Sequence, residues 1–200
     1  MDRETALKVY HESIAERLTE FQNHTGSYLM QHMEDLVSLI KNAMDLLGEH
    51  MKAQGKEYAC FLYFSFLKTD IINRKYRLHL HGLDMRWYMD EEAADVYVDA
   101  KELLEPFDAL WNSLTAANGG YMGAINKYDI QNLMFDQLAV VNHMICEMLR
   151  YRLRDWEKEG IFDSVVRSPY WTLRWGEYRD RTEIILRTDR VEKEAGVWKQ

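Results

Sequence analysis

Two prolines, two cysteines and ten glycines are all that these 200 residues hold in the way of breaks, bridges and unrestricted backbone. So few interruptions argue against a loop-rich scaffold framed by disulfides and leave room for long elements. Cys60 and Cys146 lie in apolar surroundings and form no C-x-x-C pair, the usage expected of thiols that pack as small hydrophobes in a reducing compartment. Cationic excess is also missing: the formal net charge is -8 and the pI about 5.4. An acidic chain is repelled by phosphate backbones and anionic bilayers, which sets aside nucleic acid and membrane as partners. No apolar run reaches the roughly 20 residues that span a bilayer, and the first residues, MDRETALK, lack the basic-then-apolar order of a signal peptide. The expectation is a cytoplasmic protein.

Diagnostic catalytic motifs are absent as well. The chain has no G-x-x-x-x-G-K-[ST], no G-x-G-x-x-G, no G-x-S-x-G and no H-E-x-x-H, and none of its seven histidines follows a Glu by three positions. Phosphate loops, dinucleotide fingerprints, nucleophile elbows and ferritin-like di-iron centres are thereby disfavoured.

What the chain does have is apolar and aromatic bulk: 47% hydrophobic residues, with eleven Met, twelve Tyr and six Trp. Its organising stretch is Tyr58 to Leu67, YACFLYFSFL, which carries no charge. A run that short is buried by its own protein rather than by lipid. Its hydrophobicity continues through Ile71 and Ile72, longer than the usual strand of about 5–6 residues, so Glu57–Asn73 is expected to be a buried central helix. Around it, apolar residues recur at helical spacing. Leu7, Tyr10, Ile14, Leu18 and Phe21 predict a helix from Arg3 to about Gln22, stopped by Gly26. Ser27 then caps a second helix striped by Leu29, Met33, Leu36, Ile40, Met44, Leu47 and Met51, which Gly55 ends.

Beyond the run, Tyr76, Leu78 and Leu80 alternate with Arg77, His79 and His81, the two-residue period of a strand, and Met85–Met89 reads as its return in a hairpin over 76–89. The order FSFLKTDII, YRLHLHGLD, WYMDEE resembles a family of uncharacterised, mostly helical bacterial proteins, with an aromatic S-F-L helix, a short Y-x-L-x-L strand and a Trp/Tyr-x-Asp corner. The resemblance covers about residues 58–92. It implies a topology and no established activity.

Asp90 is placed as the cap of a helix running to about Glu105, and Pro106 opens another that buries Phe107, Leu110, Trp111 and Leu114. The loop GGYMGAIN, residues 119–126, is a candidate hinge or a plain connector. The longest helix is expected from Lys127 to Lys158, with Gly160 beyond it. A second hairpin near 170–187 competes with a helix starting at Glu177, and the last ten residues read as a polar, frayed end. The fold expectation is therefore mainly α: a single domain over 1–200, with a helical body at 3–160, an aromatic and arginine-rich unit at 161–190, and one or two short β-hairpins in a multi-helix bundle. Its Met-rich helix surface suggests a homodimer.

Three groups of residues could carry chemistry. Arg174, Arg179 and Arg181 stand among Trp171 and Trp175 in a segment without lysine, a composition suited to holding an anionic small molecule through planar, bidentate contacts. This supports a binding or interaction protein. His143 and Glu147, four apart on the long helix, face the same way and could give two ligands to a metal-dependent enzyme, the alternative function. His79 and His81, two apart on a strand, also share a face in the manner of metal ligands.

Overall fold

The uncharged run is a strand, and that one difference changes the fold class. The computed structural model describes residues 2–121 and 123–188; the last ten residues, expected to fray, lie outside them. In it, Ala59–Phe66 forms β1 and the short helix α3, Lys68–Ile72, follows directly. What looked like one long apolar helix is two elements in series. An interior strand, covered on both faces, reads as a continuous apolar run rather than an alternating one, and periodicity cannot separate it from a buried helix. The expectation of a mainly α helical bundle around Glu57–Asn73 is accordingly corrected to a five-stranded mixed sheet packed with helices.

The first two helices precede the sheet. α1 spans Arg3–Gln31, capped by Asp2, whose Oδ1 accepts the Thr5 N–H at 2.9 Å. It runs through Gly26 instead of stopping there. Gly26 faces Met144 of the long helix without a tight approach, and the packing of α1 against α4 and α5 carries the helix through it despite a cost of up to about 1 kcal/mol. α2 spans Met33–Gln54 and ends at Gly55, with φ 72°.

The remaining strands are β2, Arg77–Leu83; β3, Ala94–Asp99; β4, Arg167–Glu177; and β5, Thr182–Thr188. Their order is β3-β2-β1-β4-β5, antiparallel throughout except for the parallel pair β1 and β4. The C-terminal hairpin therefore forms, and no helix starts at Glu177. The first hairpin forms with a different return: Met85–Met89 makes a 3-10 turn, and β3 occupies residues that were expected to be the helix after Asp90. Between β3 and β4 come α4, Glu105–Ala117 with Pro106 in its first turn, and α5, Lys127–Lys158.

Register assigns the two faces. Val96, Leu80, Phe64 and Trp175 stand side by side across four strands, as do Val98, Leu78 and Phe66 across three. This face meets the helices: α2 packs on β2 and β3, and α5 on β4 and β5, with α1 behind against α4 and α5. Leu62, Phe64, Phe66, Leu78, Leu80 and Trp175 are all fully buried there or nearly so. Among the described residues, the opposite face carries no α-helix. It is flanked by the 84–93 loop and by the β4–β5 turn, and it is where the polar side chains of the strands collect.

That loop is held by an ion pair with almost no contact with water. Lys56 Nζ reaches Asp90 Oδ2 at 2.5 Å, the two side chains being 3% and 0% exposed. Asp90 also accepts the backbone N–H groups of Asp84 and Glu92, at 2.8 and 3.0 Å. Burial pushes the Asp90 carboxyl up, but Lys56 and these two amides outweigh it and hold the group below its usual range. Breaking one side of such a pair strands the other, so Asp90→Ala is expected to destabilise the protein by about 3–5 kcal/mol in denaturant unfolding at pH 7. Because the folded-state pKa is depressed, Asp90 contributes fully above about pH 4 and the contribution disappears as pH falls through the folded value. The acid limb of the variant's stability curve should be shallower than that of the native protein; superimposable curves would contradict this role.

Candidate functional site

Strand pairing on the helix-free face lines up two rows of side chains. Asp95, His81, Tyr63 and Arg174 form one row across β3, β2, β1 and β4; Tyr97, His79, Ser65 and Gly176 form the next. Alternation along β2 sends both histidines to this face, because the intervening Leu80 belongs to the core. Asp95 is the direct cross-strand neighbour of His81 and the diagonal neighbour of His79.

The three side chains converge. His79 Nε2 lies 2.5 Å from Asp95 Oδ1, and His81 Nε2 lies 3.8 Å from the same oxygen. One ligand atom from each residue can be chosen so that all three lie within 4.8 Å of one another. The other ring nitrogen of His79, Nδ1, is 3.2 Å from the buried Ser65 hydroxyl. His50, from α2, places its Nδ1 2.9 Å from the Asp95 carbonyl and so braces the backbone under the carboxylate. Both histidines are buried, whereas the Asp95 side chain keeps 41% exposure, so solvent reaches the cluster from the carboxylate side.

Aromatic rings surround it. Tyr97 stacks on His79 with ring centroids 4.6 Å apart, Tyr178 meets the same ring edge-on at 4.9 Å, and Tyr88 approaches His81 at 6.5 Å. Trp87 stacks on Phe61 at 5.3 Å, extending the wall. Burial lowers the His81 pKa, which favours the neutral imidazole. Asp95 is pushed up by burial but more strongly down, first of all by its hydrogen bond with His79, so its pKa lies below the usual value and it remains a carboxylate. A neutral imidazole beside an ionised carboxylate is the protonation state a metal needs of its ligands. Tyr63, in the same row, is pushed up to about 12 by burial and its hydroxyl has no hydrogen-bond partner among the described residues.

The residues singled out from the arginine-rich segment do not share a site. Trp171 and Trp175 point into the core, Trp171 edge-on to Phe162 and Trp175 against Phe64 and Phe66. Arg174 points to the other side, over Tyr63 and hydrogen-bonded to Thr182. Arg179, at φ 55° in the β4–β5 turn, lies over Tyr88 and Tyr178 at the rim of the histidine cluster. Arg181 faces a cleft beside α5.

His143 and Glu147 do come together, with Glu183 of β5 as a third group. Arg150 lies among them, bonded to Glu147 and, at 2.7 Å, to Glu183, while His143 Nδ1 is 3.0 Å from Glu183. A cation entering here would compete with a guanidinium already in place. Among the described residues, the histidine pair of β2 has no such competitor in hydrogen-bond contact.

Asp95 and Ser65 were not recognisable as site residues from the sequence. Asp95 looked helical, and Ser65 looked like one polar atom in an apolar run. No family model matches this chain, and no curated protein or solved structure shows significant similarity to it, so the site rests on its own geometry. Replacing Ser65 by Ala removes the partner of a buried ring nitrogen; the expected cost is about 1–3 kcal/mol, read from denaturant midpoints. An unchanged midpoint would mean that the hydroxyl does not fix the His79 ring.

Proposed function

We propose that this protein works through a divalent transition metal held by His79, His81 and Asp95 on the helix-free face of the sheet. The observation that carries the reading is the convergence of two imidazole nitrogens and a carboxylate, one imidazole being oriented through its far nitrogen by Ser65. Ligands of a zinc-like ion sit about 2.0–2.2 Å from the metal, which puts two ligand atoms roughly 3.3 Å from each other at tetrahedral angles. The distances of 2.5 and 3.8 Å to Asp95 bracket that value. A hydrogen-bonded far nitrogen is the usual outer support of a metal-bound histidine, since it fixes the tautomer and the ring plane.

Three protein ligands leave at least one coordination position for water or substrate, the pattern of reactive rather than structural sites. The metal would act as a Lewis acid on whatever occupies that position. The Tyr63 hydroxyl, which has no partner among the described residues, is a donor available beside it on the same row. The Arg179 guanidinium at the rim would favour a substrate with negative charge. This keeps the metal-dependent alternative drawn from the sequence and moves it from the long helix to β2 and β3.

Metal-free protein titrated with cobalt or zinc is expected to take up one equivalent. His81→Ala and Asp95→Ala should weaken that binding by ~100-fold or more, beyond the 10–100-fold typical of losing an outer supporting group. Glu147→Gln should leave it unchanged. No stoichiometric uptake by the native protein, or equal uptake by His81→Ala, contradicts the proposal.

A further inference from the structure

His79 and His81 are 0% and 4% exposed, on a face of the sheet that no α-helix among the described residues covers. Rings close it instead, and they come from two separate segments. From the 84–93 loop, Tyr88 meets His81 at 6.5 Å and Tyr63 at 5.9 Å, and Trp87 lies against Phe61 and Tyr63. From the β4–β5 turn, Tyr178 meets His79 at 4.9 Å and His81 at 6.1 Å. The two segments touch where the Arg179 guanidinium rests 5.8 Å from the centre of the Tyr88 ring. Both sides of this seam are held in the left-handed backbone region that L side chains rarely adopt, Trp87 at φ 59° and Arg179 at φ 55°. Strain of this kind collects at ligand clamps and switch segments.

The loop is built to move as a unit. None of Trp87, Tyr88 and Met89 is buried. The backbone hydrogen bonds of the turn are internal: the Trp87 N–H donates to the Asp84 carbonyl, that of Met89 to Arg86 and that of Asp90 to Trp87. Arg86 bonds only within the loop, to Asp84 and Asp90. Asp90 accepts the Asp84 N–H and is itself held by Lys56, so both ends of the turn meet at one fixed point. Among the described residues, lifting 85–89 about that point gives up ring contacts and no hydrogen bond to another element.

We propose that the 84–93 loop is a gate over His81 and Tyr63, latched by Arg179 on the Tyr88 ring and hinged on the Lys56–Asp90 pair. Its purpose rests on the metal reading, since the open gate is what admits a substrate to the coordination position; its motion can be measured without metal. An exposed cation–π contact is weak, so the latch changes the open population by about 2–5-fold, which is about 0.5–1 kcal/mol. The hinge is far stronger, because parting a buried ion pair strands both charges. The loop therefore opens at the seam while its base stays closed.

The test is carbethoxylation of metal-free protein by diethyl pyrocarbonate at pH 8, followed histidine by histidine through peptide mapping, with amide hydrogen exchange of β2 measured alongside. Exposed His11 gives the unprotected rate. In native protein His81 should react at least ~10-fold more slowly than His11, yet carry far less protection than the amides of β2, an inner strand that opens only with the sheet. Arg179→Ala should speed His81 by about 2–5-fold and Tyr88→Ala by more, with β2 exchange unchanged in both. Cobalt binding is the separate arm. Tyr88→Ala should take up cobalt faster than native protein at unaltered affinity, whereas native protein that binds no cobalt would remove the metal and leave the labelling result standing. His81 reacting as fast as His11, His81 protected as strongly as the β2 amides, native rates in both variants, or faster labelling accompanied by faster β2 exchange would each overturn the gate.

Discussion

Everything in this molecule is arranged around a strand that has no wet face. β1 is hydrogen-bonded on both edges, antiparallel to β2 and parallel to β4, and it is walled in above and below. Leu62, Phe64 and Phe66 enter the helix-packed core, and burying each is worth about 1.5–3 kcal/mol relative to exposure. Tyr63 and Ser65 go the other way and are still buried, because aromatic rings from neighbouring segments close over them. A central strand of this kind needs helices on one side only if something else covers the second side.

The second cover is a polar and aromatic mosaic, and that is what lets polar side chains collect on this face. Helices would have demanded an apolar surface. The 84–93 loop instead brings Trp87 and Tyr88, and the β4–β5 turn brings Tyr178 and Arg179, so His79, His81, Asp95 and Arg174 can point toward them without entering a hydrocarbon core. The buried Lys56–Asp90 pair anchors the loop to the end of α2, and Asp90 is thereby part of the scaffolding of the site at a distance from it. Buried charge pairs do not add much stability over an apolar replacement, but they specify geometry strongly, since only one arrangement satisfies both partners.

The helical part of this architecture was written plainly in residue spacing, and the sheet was not. Leu36, Ile40, Met44 and Leu47 repeat at three and four because only one side of α2 is buried, and α5 has the bounds its pattern suggested. β1 broke the same logic: burial on both faces erases alternation, and α3 prolonged the apolar signal past the strand's true end. β3 was lost for another reason. Asp90 followed by Glu91 and Glu92 is also how a helix begins, and the tertiary demand of Lys56 for a buried carboxylate is invisible in a local pattern. The period-two pairing of His79 with His81 was legible, while its partner Asp95 depends on the register between β2 and β3, which no single stretch encodes. The arginine–tryptophan segment misled for a matching reason. Composition groups Arg174 with Trp171 and Trp175, and strand alternation then sends them to opposite sides of the sheet.

Coordination of an ion by His79, His81 and Asp95, as proposed, can be read directly by X-ray absorption at the zinc edge of zinc-loaded protein. Two imidazole rings and one carboxylate at about 2.0–2.2 Å, with a light atom completing the shell, are the predicted result. A shell of oxygens without imidazole scattering, or one that keeps two imidazoles after His79 and His81 are both replaced by alanine, would contradict it.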